Sequence, residues 1–290
     1  MNQFIEFQQQ YLKQFNDYLH QQLVQEVHQP QVLEGMLYSL DAGGKRIRPF
    51  LMLATLKSLQ DNTIITEYFK IAGSIELIHT YSLIHDDLPE MDNDDYRRGQ
   101  LTNHKKFTPA RAVLAGDSLL THAFIWLTAN QLPSEIKTQL VQILAQSAGA
   151  NGMIAGQMID IINTGKKLSL EEVTHLDNQK TGALITAAVQ MGALCGQASA
   201  DVMVHLQRFS QDFGLAFQIY DDLLDVTGSQ SQLGKKVGKD QLEGKNTYVR
   251  LLGIAPAQKK LAAIVQAARQ ELAAVHLDKS ILADALKYFD

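Results

Sequence analysis

Two short acidic runs carry the strongest chemical signal in this 290-residue chain. The first reads Asp86-Asp87-Leu88-Pro89-Glu90-Met91-Asp92, the second Asp221-Asp222-Leu223-Leu224-Asp225. Carboxylates this close repel one another and raise each other's pKa unless a cation sits among them. Magnesium suits such a site: it takes one or two protein carboxylates, keeps waters, and completes its shell with substrate phosphates. On a helix, residues three and four apart share a face, so Asp221 and Asp225 point the same way with Asp222 beside them. Asp86 and Asp92 fall on different faces of a straight helix. Pro89 disfavours a straight helix there. A break at that point folds Asp92 back toward Asp86; if the helix continues, Glu90 competes as a ligand. A single acidic run is usually a solvated helix end. Two runs with the matching leads IHDDL (84–88) and IYDDL (219–223), each after an apolar stretch, suggest two helices presenting acids to one space.

Cations stand beside these acids. Gly43-Gly44-Lys45-Arg46-Ile47-Arg48 offers flexible backbone and three positive charges, and Arg97-Arg98-Gly99 follows the first acidic run. Lys235, Lys236, Lys239 and Lys245 follow the second. Arginine's planar fork matches phosphate oxygens and lysine adds a point charge, so acid beside base reads as metal and side chains sharing one polyphosphate. His79, Ser82 and Asp86 form one polar stripe on an otherwise apolar run, which turns His79 toward the ligand. Asp117 falls between Val113 and Leu120 and reads as a buried structural acid.

The elements that must position these groups are helices. Apolar residues step by three and four at Ile136, Leu140, Val141, Leu144 and Ala148, and again at Val113, Leu120, Phe124 and Leu127. The stretches 71–84, 182–196, 209–220 and 258–275 also read as helices, several apolar nearly all round and so interior. Breaks fall at Pro30, Pro89, Pro109, Pro133, 163–165 and 228–244; the last is the longest loop candidate and a candidate lid. The expectation is an all-α fold, one domain over 1–290. The net charge of -5 argues against general nucleic-acid binding. The single cysteine, Cys195, rules out an intramolecular disulfide and suits a reducing compartment. The polar, Gln-rich start has no signal-peptide pattern, and the apolar stretch 182–196 is shorter than the roughly 20 residues a membrane span takes. The reading is a soluble, cytoplasmic protein that does not span a membrane.

The motifs GGKRIRP (43–49), ELIHTYSLIHDDLPEMDNDD (76–95), RRG (97–99), GQMID (156–160), QKTG (179–182), FQIYDDLLD (217–225), GKD (238–240) and KNTY (245–248) together resemble the trans-isoprenyl diphosphate synthases, within them the bacterial, farnesyl-forming type. That resemblance implies an isoprenoid-synthase helical bundle around a central cavity, and a homodimer. It implies magnesium held by Asp86, Asp87, Asp92, Asp221, Asp222 and Asp225 on an allylic diphosphate. Lys45, Arg48, His79 and Arg98 match positions that bind isopentenyl diphosphate. Arg97, Lys180, Lys235 and Lys245 match contacts to the allylic diphosphate. Thr181 and Gln218 match groups facing the developing cation, and Lys180, Thr181 and Gln218 form the catalytic set. Tyr81, an aromatic five residues before Asp86, matches the position that limits product length at fifteen carbons. Val249 stands where the family often has proline, and Glu243 precedes Gly244 where a small residue is more usual, two departures that fall in the loop after the second acidic run. The alternatives are a geranylgeranyl diphosphate synthase with a deeper pocket, and a helical metal phosphohydrolase built on His85-Asp86 with His79 and His104.

Overall fold

The computed structural model describes residues 2–227 and 246–290. Lys235 and Lys245, with the candidate lid 228–244, lie outside the described residues. The chain begins with α1 (Gln3–Glu26), for which its polar composition gave no clear sign. The Asn2 side chain caps it by accepting from the N–H groups of Phe4 and Ile5 at 3.1 and 3.2 Å. Phe4, Phe7, Phe15, Leu19 and Leu23 then recur at helical spacing and bury one stripe.

The order continues with α2 (Pro30–Leu40), α3 (Ile47–Leu59) and α4 (Phe69–Asp86). A two-stranded hairpin follows, β1 (Tyr96–Arg97) and β2 (Gln100–Leu101), then α5 (Asn103–Lys106), α6 (Pro109–Thr128) and α7 (Ser134–Ala148). The site's second half comes from α8 (Met153–Ile162), α9 (Leu170–Asp177), a π-helical turn (Asn178–Gly182), α10 (Ala183–Cys195) and α11 (Ala200–Thr227). The described chain closes with α12 (Tyr248–Leu252), α13 (Ile254–Ala274), α14 (Ile281–Asp284) and a 3₁₀ turn (Ala285–Phe289). Pro30 and Pro109 occupy the first turn of α2 and α6, where a missing N–H is harmless.

The long helices pack α4 on α6, α3 on α10, and α11 on α13. Burial of α4 runs almost all round, from Phe69 and Ile71 to Tyr81 and Ile84, as its composition required. The inward stripe of α6 departs from the spacing read above. Ala112, Ala115, Gly116, Leu119, Ala123, Trp126 and Leu127 face in, whereas Val113 and Leu114 are exposed. Small residues take the tightest points of this face: a Cβ on Gly116 would strike the His85 ring of α4, and Ala115 meets Gly35 of α2, whose own Cβ would fall 3.0 Å away. Asp117 is correspondingly exposed rather than buried, 3.8 Å from His85.

Two polar knots fix the helices. The Glu26 carboxylate accepts from Lys70, His122 and Trp126, each at 2.7 Å, tying the end of α1 to α4 and α6. Arg46 is 4% exposed and its guanidinium donates to Glu76 (2.6 Å), Asn16 and the Leu40 carbonyl. One of the three cations at 45–48 is therefore spent on the scaffold.

Candidate active site

The first acidic run sits where α4 stops. Asp86 is the last helical residue and Asp87 its C-cap. Acids at a helix C-terminus oppose the helix dipole, so this choice of residue is locally unfavourable and needs a reason elsewhere. Past Leu88 and Pro89 the chain reverses. The Met91 and Asn93 N–H groups both return to the Leu88 carbonyl, and the Asp92 N–H donates to the Asp86 carbonyl at 2.8 Å. The bend read from Pro89 is present, and it brings Asp92 back to Asp86. Burial pushes the Asp86 carboxyl up to about 6, with Asp92 and Asp87 adding to the rise and Lys180 and Arg97 opposing it.

Asp87 turns to a different partner. Both of its oxygens accept from Arg97 Nε, at 2.8 and 2.9 Å, and Arg97 Nη2 lies 2.6 Å away. Arg97 is held there by the hairpin. Arg98 and Gly99 both take positive φ, 53° and 78°, as a two-residue hairpin turn demands.

The second run lies on α11. Asp222 is 3% exposed; one oxygen accepts from Gln218 Nε2 at 3.2 Å and the other from the backbone N–H of Tyr248 at 2.7 Å. Thr181 Oγ1 donates to Gln218 Oε1 at 3.2 Å, so Thr181, Gln218 and Asp222 form one hydrogen-bonded chain. Asp225 is buried, and its Oδ1 has no hydrogen-bond partner among the described residues. Asp221 is only partly buried.

Lys180 and Thr181 belong to the π-helical turn, an irregularity often found at functional sites. Gly156 of α8 makes room for it: a Cβ there would fall 2.2 Å from the Lys180 nitrogen. One turn on, Asp160 forms an ion pair with Lys180. Asp92, Asp160, Asp177, Lys180, Thr181, Gln218 and Asp222 all line one open cavity of about 1550 Å³, mouth included. Both acidic runs therefore contribute to a single space.

The cationic end forms beside it. Arg98 donates to the Gly43 carbonyl, and Lys45 Nζ to the Tyr288 hydroxyl at 2.5 Å. Arg48 Nη1 lies 3.4 Å from His79 Nε2. Burial, then the charges of Arg48, Arg98, Arg97 and Arg46, hold His79 well below its ordinary pKa. It stands neutral in this cluster and offers a hydrogen bond rather than a charge. Asp221 acts electrostatically on Arg48, which links this group to the second acidic run.

Tyr81, the histidines and Val249 lie outside the acid-lined cavity. Tyr81 is 5% exposed and is not among the residues lining the cavity. His85 does not face the acids. Its Nε2 lies 3.1 Å from the Val113 carbonyl and must donate to it, which removes that nitrogen as a metal ligand. The hydrolase reading built on His85-Asp86 thereby loses the ring nitrogen that the Val113 carbonyl engages. Val249 lies within α12 rather than in a loop, near a helix start where proline would also fit. Three residues escaped the sequence reading. Asp160 was visible as the acid of GQMID. Tyr248 stood in KNTY without an assigned role, and Asp177 gave little signal: it is partly buried beside Asp222 and Asp160, and desolvation first, then those two charges, drives its carboxyl well above the usual range. Tyr248, fully buried, donates its hydroxyl to Thr174 at 3.0 Å.

The profile of the polyprenyl synthetase family matches residues 29–282. A farnesyl diphosphate synthase of Geobacillus stearothermophilus is 47% identical over 253 residues, 86% of this chain and 84% of that one. One from Haemophilus influenzae is 42% identical over 287 residues, 98% of this chain and 97% of that one. The crystal structure of a Helicobacter pylori geranyltransferase complexed with magnesium and isoprenyl diphosphate superposes with a TM-score of 0.83 at 35% identity, covering 98% of this chain and 95% of that one.

Proposed function

The chain belongs to the polyprenyl synthetase family, and on that premise we propose how its residues perform the family's reaction. It condenses isopentenyl diphosphate with an allylic diphosphate, dimethylallyl and then geranyl, to give farnesyl diphosphate. The observation that carries the reading is that Asp92 and Asp222, one from each acidic run, line the same cavity as Lys180, Thr181 and Gln218.

The all-oxygen donor set fits magnesium. Asp225 holds a buried, unpartnered oxygen, and Asp86 is a strained acid that a cation would relieve. Asp86, Asp87, Asp92, Asp221, Asp222 and Asp225 would hold it, with Arg97 orienting the Asp87 carboxylate and Gln218 and the Tyr248 N–H orienting that of Asp222. When bound, magnesium neutralises charge on the leaving diphosphate and weakens the allylic C–O bond.

Lys180 and Arg97, with Lys235 and Lys245, bind the allylic diphosphate. Arg97 bridges it to Asp87. Lys45, Arg48, Arg98 and neutral His79 bind isopentenyl diphosphate. Thr181 and Gln218 turn oxygens toward the developing allylic cation, oriented by the chain that ends on Asp222. The double bond of isopentenyl diphosphate attacks, a proton leaves, and the departed diphosphate takes it.

Tyr81 stops growth at fifteen carbons; a twenty-carbon product is the alternative if it does not. The working unit is one domain over 1–290, paired as a homodimer in the cytoplasm. Exposed Leu114 and Ile125 on α6, and Ile154, Met158 and Ile162 on α8, supply apolar surface for a second copy. No helix among the described residues is long and apolar enough to cross a membrane. The test is incorporation of radiolabelled isopentenyl diphosphate with dimethylallyl and geranyl primers, followed by product chromatography. Magnesium should support a fifteen-carbon product and EDTA should abolish it; incorporation that survives EDTA overturns the metal reading.

A further inference from the structure

The contact that carries furthest lies between α4 and α6, away from the acids. His85 and Tyr81 are one helical turn apart and share a face of α4. Their rings meet edge to face, centroids 5.6 Å apart at 79°. The Tyr81 hydroxyl is buried with no hydrogen-bond partner among the described residues. Packing alone therefore sets the direction of the Tyr81 ring.

His85, by contrast, is anchored. Its Nε2–H donates to the Val113 carbonyl at 3.1 Å, and Asp117 stands 3.8 Å away. Gly116 lies flat against the ring, since a Cβ there would fall 2.2 Å from Nε2 and 2.5 Å from Cδ2. The imidazole is thus fixed by α6 on one side and touches Tyr81 on the other.

We propose that His85 is a specificity-determining positioning residue, whose α6-anchored ring holds Tyr81 in the place where it stops chain growth. The inference rests on the reading of Tyr81 as the residue that limits the product. His85 acts through Tyr81 and touches no reacting atom. Gly116 belongs to the same device, because it is what lets the imidazole lie against α6.

The test uses the full chain with geranyl diphosphate and excess isopentenyl diphosphate, reading the ratio of twenty- to fifteen-carbon product. His85→Gln keeps an N–H donor for Val113 but loses the ring; Gly116→Ala keeps the ring but displaces it. Each should raise the twenty-carbon fraction about threefold to tenfold, the range that loss of an aromatic contact allows. Adding His85→Gln to Tyr81→Ala should raise it no further. Suppose Tyr81→Ala lengthens the product while His85→Gln and Gly116→Ala change only total turnover. The brace is then wrong and the reading of Tyr81 stands. If Tyr81→Ala itself still stops at fifteen carbons, the reading of Tyr81 fails and takes the brace with it.

Discussion

The backbone N–H of Asp92 donates to the carbonyl of Asp86 across 2.8 Å. That one bond closes the reversal after α4 and makes neighbours of two acids that a straight helix would have separated. Its cost is visible on Asp86, whose carboxyl is pushed up to about 6 by burial and by Asp92 and Asp87.

The sign of that shift gives the first prediction. An unfolded aspartate titrates near 3.9, roughly. Between that value and about 6 the folded chain binds more protons, so the Asp86 contribution is full below the lower value and lost as pH rises through the upper one. In EDTA, Asp86→Asn should unfold at higher urea than the parent at pH 7, with the gap closing toward pH 4. Condensation should fall by at least ~10²-fold, as when a preorganised charge contact is removed. Equal urea midpoints at both pH values would sink the argument.

Asp160 and Lys180 should behave as one unit. Their ion pair spans α8 and the π-helical turn. Asp160→Asn and Lys180→Ala should each lower kcat/KM for geranyl diphosphate about tenfold, and the double variant should lose much less than the product of the two. Fully multiplicative losses would mean that Asp160 does not position Lys180.

Tyr248 separates packing from positioning. Tyr248→Phe loses the hydroxyl's bonds to Thr174 and Asp177, worth about 1–3 kcal/mol, but keeps the backbone N–H on Asp222. Tyr248→Ala opens a cavity worth about 3–5 kcal/mol and loosens the start of α12. Urea unfolding should report those two sizes. The magnesium concentration for half-maximal activity should rise only for alanine; a rise for phenylalanine would place the hydroxyl, not the helix start, in control of Asp222.

Glu76 should matter for stability at any salt. Its ion pair with Arg46 has both side chains 2% exposed. Glu76→Ala strands a buried guanidinium and should cost about 3–5 kcal/mol, unchanged between low and high ionic strength because buried pairs are poorly screened. A loss that vanishes in salt would show the pair to be open to solvent.

The helices that carry the site were legible because apolar spacing is a local property. The stretches 71–84, 182–196, 209–220 and 258–275 all fall within or against α4, α10, α11 and α13. The acids, the cations beside them and the bend at Pro89 were legible too, since composition and proline act through near neighbours. The inward face of α6 was not. Its apolar residues lie on both sides, and only close contact with α4 and α2 selects Ala112, Ala115 and Gly116 over Val113 and Leu114.

By itself, then, the sequence determined an all-α chain with two acid-bearing helices and the cations to match. Only the tertiary structure decided which partner each charge keeps. It gave Arg46 to Glu76, Arg97 to Asp87, Lys180 to Asp160, and the Tyr248 N–H to Asp222. Those choices join residues far apart in the chain, so no local pattern encodes them. They follow from which helices pack and from the need of every buried charge for a partner.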